Sequence, residues 1–163
     1  MPCDETPRTA EAALPYATRI AEAKLRAALE VLGPGRRVLA ADTVVWMQDD
    51  EAPLGKPTDP EACVQMLRAI GGPQGHRVTT AWALGTEPGD VEVHTETTGV
   101  WFRPLPEATL RDYVAEGAWR DKAGGYGIQA EAAGWVTRIE GSYTNVVGLP
   151  VAQVLTRLEA LDR

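Results

Sequence analysis

The segment Val38-Leu39-Ala40-Ala41-Asp42-Thr43-Val44-Val45-Trp46-Met47 constrains the fold of this chain more than any other. It is apolar over most of its length, with Gly33-Pro34-Gly35 before it and an acidic turn, Gln48 to Pro53, after it. It therefore reads as a largely buried strand, which needs a sheet with a covering layer. Its interior pair, Asp42-Thr43, breaks the pattern. An ionised carboxylate in such a strand is costly unless it is paired, bound to a metal or near the strand end. Two readings follow: Asp42 serves a function, with Thr43 as a second polar group beside it, or Asp42 caps a neighbouring turn.

The segments on either side supply the layers. Pro15 opens a stretch with Tyr16, Ile20, Ala23, Ala27 and Val31 at helical spacing, which Gly33-Pro34-Gly35 ends. Leu54-Gly55-Lys56-Pro57 leads into Thr58-Asp59-Pro60-Glu61, a capping residue with proline in the first turn of a helix expected to reach about Ile70. After Gly71-Gly72-Pro73, two β-rich runs, Arg77 to Leu84 and Val91 to Phe102, flank the turn Gly85 to Asp90 and read as a hairpin. Pro106 to Glu116 is helical up to Gly117, Asp121 to Gln129 is a glycine-rich loop running into a short strand, and Val151 to Leu161 is a last helix. Alternating helices and strands without repeats point to an α/β fold with a mixed sheet.

At 163 residues the chain has the length of one domain, and 44% hydrophobic with 24% charged residues is an ordinary globular composition. Sixteen basic against 23 acidic residues give a net charge of -7, which argues against nonspecific binding to nucleic acid or to an anionic membrane. A small polyanion held by local cations and a bridging divalent ion stays open. No run approaches the length of a membrane span, and the N-terminus lacks both a basic region and an apolar region of a signal peptide, so a cytoplasmic protein is expected. Cys3 and Cys63 are too few for a disulfide framework. With only His76 and His94 besides, any metal is expected to be a hard, oxygen-ligated ion such as Mg2+ or Mn2+.

Lysine is scarce: Lys24, Lys56 and Lys122 stand against thirteen arginines. A lysine kept in so arginine-biased a chain suits a need for a compact point charge, although chance retention gives the same count. Lys24 lies within a helix, where a solvated face is the alternative; Lys56 and Lys122 adjoin Gly and Pro turns whose backbone N–H groups are free to meet phosphate. The loop Asp121 to Gln129 is neither a P-loop nor a dinucleotide fingerprint. Gln129 at its end carries an amide that donates and accepts, as reading a pyrimidine edge requires. The two histidines, near strands, read as structural, and the five tryptophans as core or rim.

Taken in order, Asp4-Glu5-Thr6-Pro7, Ala21-Glu22-Ala23-Lys24, Ala41-Asp42-Thr43-Val44-Val45, Leu54-Gly55-Lys56-Pro57, Asp121-Lys122-Ala123-Gly124-Gly125-Tyr126-Gly127-Ile128-Gln129 and Gly141-Ser142-Tyr143-Thr144-Asn145-Val146-Val147-Gly148-Leu149-Pro150 resemble the motifs of the Maf family of nucleoside triphosphate pyrophosphatases. The resemblance spans nearly the whole chain, residues 1–163 as one Maf-like domain. It implies an elongated, inosine-triphosphatase-like α/β fold, dependence on a divalent metal, and hydrolysis of a nucleoside triphosphate to the monophosphate and pyrophosphate. It makes Asp42 the proton acceptor, sets Lys24 and Lys56 on the triphosphate, places Glu5 and Asp42 on the metal, and gives base choice to Thr43 and Gln129; Lys122 is expected among the substrate-binding residues. The Asp-Thr-Val and Tyr-Gly-Ile-Gln versions resemble the branch acting on dTTP and UTP. Family members begin with a strand and a loop resembling Ser-x-Ser-Pro-Arg-Arg, and this sequence starts after it. An N-terminally short domain with an open sheet edge and weakened phosphate contacts is therefore expected, with a nucleotide-binding or regulatory role linked to septum formation as the alternative function. The resemblance and the open edge together point to a homodimer.

Overall fold

A computed structural model describes residues 3–33 and 35–163. Pro34, at the centre of the expected helix stop, and Met1, where the expected short domain begins, lie outside the described residues. Among the described residues, helix α1 (Ala13–Leu32) precedes strands β1 (Val38–Met47) and β2 (Asp50–Leu54). Helix α2 (Pro60–Ile70), strands β3 (His76–Glu87) and β4 (Asp90–Phe102), and helix α3 (Glu107–Glu116) follow. Two 3-10 turns, Ala123–Gly125 and Glu131–Trp135, lead to strand β5 (Val136–Glu140) and helices α4 (Tyr143–Val147) and α5 (Val151–Leu161).

The strands form one sheet in the order β2-β1-β3-β4-β5. Every pairing in it is antiparallel, which corrects the expected mixed sheet while keeping the α/β layering. The reason is connectivity: β1–β2 and β3–β4 are hairpins, and α2 carries the chain from β2 past β1 to β3, so that β2 and β3, which run the same way, each pair with the oppositely directed β1 between them. Part of the expected turn Gln48 to Pro53 is strand β2. The hairpin strands β3 and β4 run past Gly85 to a tight turn at Pro88-Gly89.

Alternation along the strands separates two faces. On one, Val44, Ala81 and Ala83 pack against Ala13, Ala17, Ala21, Leu25 and Leu29 of α1. This corrects the expected apolar face of α1 in part: Ile20 of the expected series is fully buried, but the stripe against the sheet runs through Ala13, Ala17, Ala21, Leu25 and Leu29 at a four-residue spacing, which leaves Val31 74% exposed. On the opposite face Val45, Val78, Val100 and Phe102 meet α2 and α3, while Trp82 and Leu84 meet Val154 of α5. Asp59 caps α2 by accepting from the Ala62 amide at 2.9 Å, and Gly117 ends α3 in the left-handed conformation.

Candidate active site

Asp42 and Thr43 are neighbours in β1, so their side chains leave opposite faces of the sheet. Asp42 points to the α1 side. There Lys24 Nζ donates to Asp42 Oδ1 at 2.7 Å and lies 2.9 Å from Glu5 Oε1, so one ammonium bridges two carboxylates. Asp42 is the sequestered member at 11% side-chain exposure, against 46% for Glu5. Burial pushes the Asp42 carboxyl above its ordinary value, and the Lys24 bond offsets this only in part. Burial works against the Lys24 ammonium, but its bonds to Asp42 and Glu5 outweigh it and hold its pKa above the usual lysine value.

Glu5 is held by the first helical turns. Tyr16 Oη donates to the Glu5 carbonyl at 2.8 Å, and Arg19 grips Glu11 through Nε and Nη2, both at 2.7 Å, while also donating to the Thr6 carbonyl at 3.1 Å. These contacts fasten the N-terminal segment along α1. The reading of Tyr16 as a packing residue missed this role; its position one turn ahead of Arg19 beside Asp4-Glu5-Thr6-Pro7 was the signal.

A cavity of about 270 Å³ takes in Glu5, Tyr16, Asp42, Thr43 and Lys56. A second, of about 310 Å³, adjoins it through Thr43, Lys56 and Ala123 and reaches Lys122 and Gln129. Its walls are mainly apolar, with Val45, Val78, Ile128 and Val146 among them. Lys56 therefore stands between a charged chamber and a mainly apolar one, and its ammonium has no hydrogen-bond or ion-pair partner among the described residues. Lys122 differs: its Nζ is bonded to the Ala118 carbonyl, and its stem packs along Gly127.

The glycine-rich loop builds the seam between the chambers. The Gly124 amide donates to the Gly55 carbonyl at 3.2 Å, which ties the loop to the residue before Lys56. Gly124 and Gly125 both have positive φ, and a Cβ on either would sit 3.1 Å from Val45 or 2.9 Å from Cys63. The expected short strand at the loop's end is absent: residues 126–130 form an irregular stretch ending in a turn, because Tyr126 is turned inward instead of pairing along a sheet. Its hydroxyl donates to His76 Nε2 at 2.7 Å, while His76 Nδ1 donates to the Ile70 carbonyl at 3.1 Å. His76 is thus a structural residue, and burial depresses its pKa to about 4. His94 stacks on Trp82, with ring centroids 4.3 Å apart, also away from the two chambers.

No cluster of three or more His, Cys, Asp and Glu side chains is present among the described residues. The two carboxylates that share Lys24 are nonetheless hard oxygen donors lining one cavity. Mg2+ commonly takes one or two protein carboxylates and fills its remaining positions with phosphate oxygens and water, and Glu5 with Asp42 suits that donor set. No helix among the described residues is long and apolar enough to cross a membrane.

Residues 1–161 match the family described as Maf-like protein. A protein of Alcanivorax borkumensis named dTTP/UTP pyrophosphatase is 43% identical over 159 residues, covering 98% of this chain and 80% of its own length. Proteins of the same name from Geobacter sp. strain M21 and Chromobacterium violaceum are also 43% identical; they cover 97% and 91% of this chain, and 80% and 75% of their own lengths.

Proposed function

We propose, on the premise that this chain belongs to the Maf family, that it hydrolyses dTTP and UTP to the nucleoside monophosphate and pyrophosphate. The observation that carries this reading is the junction of the two chambers: a buried carboxylate with its lysine on one side, a mainly apolar cavity that also takes in Thr43 and Gln129 on the other, and Lys56 shared between them. A nucleoside triphosphate has the matching shape, a planar base joined to a polyanion.

The base enters the slot between Val45, Val78 and Ile128, with the Thr43 hydroxyl and the Gln129 amide available to its polar edge. The α-phosphate lies near Asp42. Water attacks the α-phosphorus, its proton passes to Asp42, and the bond from the α-phosphorus to the bridging oxygen breaks, so pyrophosphate leaves with that oxygen. Lys24 and Lys56 neutralise the charge that develops on the leaving group. Lys122, its ammonium held by the Ala118 carbonyl, lines the slot and adds positive potential to it. Glu5 and Asp42 would hold the divalent ion, Mg2+ or Mn2+, which supplies further neutralisation of phosphate charge. Asp42 acts once Lys24 turns from it toward phosphate, since a carboxylate fully engaged by an ammonium is a poor base.

Product analysis tests the reaction class. Incubation of the chain with UTP and Mg2+ is expected to give UMP and pyrophosphate in equal amounts. UDP with orthophosphate would place the attack elsewhere, and nucleotide binding without turnover would leave a binding or regulatory protein.

A further inference from the structure

On the opposite side of β1 from Asp42, a fully buried amide network reaches the slot. Thr43 and Thr80 are register partners on β1 and β3, with their hydroxyl oxygens 2.8 Å apart. They lie between two apolar clusters, one containing Val45 and Val78 and the other containing Trp82 with Ala41 packed on it. Asn145 of α4 meets β3 at this polar gap. Thr80 and Asn145 are both 0% exposed.

The network has a fixed sense, because its ends are groups with a single role. The Thr80 amide can only donate, and it does so to Asn145 Oδ1 at 3.1 Å. The Val78 carbonyl can only accept, and it takes Asn145 Nδ2 at 3.0 Å; the same nitrogen donates to Thr98 Oγ1 at 2.9 Å. The amide is thereby oriented without ambiguity. It holds α4 so that the Asn145 carbonyl receives the Thr80 hydroxyl proton at 2.9 Å. A hydroxyl has one proton, so Thr80 Oγ1 must accept from Thr43. The other oxygen near Thr43 is the Gly148 carbonyl at 3.4 Å, which also only accepts. At that length it is a weak acceptor, so Thr80 Oγ1 is the one that holds the Thr43 proton.

We infer that Thr80 and Asn145 are positioning residues: the Asn145 carbonyl holds the Thr80 proton, Thr80 Oγ1 therefore accepts from Thr43, and Thr43 meets the nucleotide base only as a hydrogen-bond acceptor. The inference rests on the proposed binding of a pyrimidine in this slot. It gives a reason for the choice among pyrimidines. Uracil and thymine carry a donor at N3, whereas N3 of cytosine is an acceptor and would face Thr43 lone pair to lone pair. An unmet polar contact of this kind costs roughly tenfold to a hundredfold in binding or turnover.

Two measurements test this, each with UTP and CTP. The first is kcat/KM for pyrophosphate release by the unaltered chain, Thr80→Val and Thr80→Ser. Valine removes the internal acceptor and frees the Thr43 hydroxyl to rotate and donate, so the UTP over CTP ratio should fall at least tenfold; serine keeps the hydroxyl and should restore the ratio. An unchanged ratio in a folded Thr80→Val protein overturns the inference. The second needs no variant: equilibrium binding of UTP, CTP and N3-methyl-UTP to the unaltered chain. CTP and N3-methyl-UTP should both bind at least tenfold more weakly than UTP, and equal binding of CTP and UTP overturns the inference even if Thr80→Val does not fold. A chain that binds UTP selectively but releases no pyrophosphate would contradict the proposed hydrolysis and leave the inference standing.

Discussion

Asp42 shows how one residue carries conflicting demands. Its burial raises the carboxyl pKa, which suits a proton acceptor near neutral pH, and Lys24 limits the cost of keeping it charged. Removing the lysine leaves a buried carboxylate without its partner. Lys24→Ala is therefore expected to raise the Asp42 pKa further and to move the acidic limb of the pH–rate profile upward by about one unit or more, a shift of about 1.4 kcal/mol per unit. An acidic limb at the same pH would show that Lys24 does not govern Asp42. At the seam, Gly124→Ala forces a side chain into a positive-φ position against Val45. A loss of about 1–3 kcal/mol in urea unfolding, with a higher KM for UTP because Gly55 and Lys56 move with the loop, is the expected result.

The elements differ in how plainly the sequence displayed them. β1, α2 and α5 follow from local signals: an apolar run, an Asp-Pro helix start, and a proline before a periodic segment. β2 and β5 carry mostly exposed or half-buried residues and exist through pairing with β1 and β4, which leaves little local pattern to read. The same holds for the site. Asp42 and Lys24 stood out as a carboxylate in an apolar strand and a lysine in an arginine-rich chain, but Thr80 and Asn145 matter through hydrogen bonds between segments 65 residues apart. His76 is a similar case, since only the fold supplies Tyr126 and the Ile70 carbonyl as its partners.

That histidine gives a prediction at the level of the strand and loop it joins. Its folded pKa of about 4 lies below the ordinary value of 6.5, so between those limits the unfolded chain takes up a proton that the folded chain refuses. Its contribution is intact above pH 6.5 and is lost as the pH falls toward 4, by about 3 kcal/mol in all. His76→Phe should flatten this part of the stability profile relative to the unaltered chain. At pH 8 it should cost about 1–3 kcal/mol, because the buried Tyr126 hydroxyl loses its acceptor. Urea unfolding across pH 4 to 8 measures both effects, and equal slopes for the two proteins would contradict the assignment.

For the whole molecule, a net charge of -7 surrounds a site built for a polyanion. On the proposed reading attraction is local, from Lys24, Lys56 and a divalent ion, and long anionic polymers find no extended basic surface to hold. Thermal unfolding should reflect that selectivity. Saturation with UTP and Mg2+ at a hundredfold excess over Kd adds about 2.7 kcal/mol of stability and should raise Tm by about 5–10 °C, whereas a random RNA at equal nucleotide concentration should leave Tm unchanged. On the proposed reading, the faces of the sheet keep charge and base recognition apart, since β1 sends Asp42 to one layer and Thr43 to the other.

The most direct test of this account is pyrophosphate release from dTTP and UTP with Mg2+ by the unaltered chain and by Asp42→Asn, with nucleotide binding measured on both. Loss of the proton acceptor is expected to lower kcat by about 100-fold to 10,000-fold while the nucleotide still binds. Equal kcat for the two proteins would contradict the assignment of Asp42 as the group that takes the proton from water.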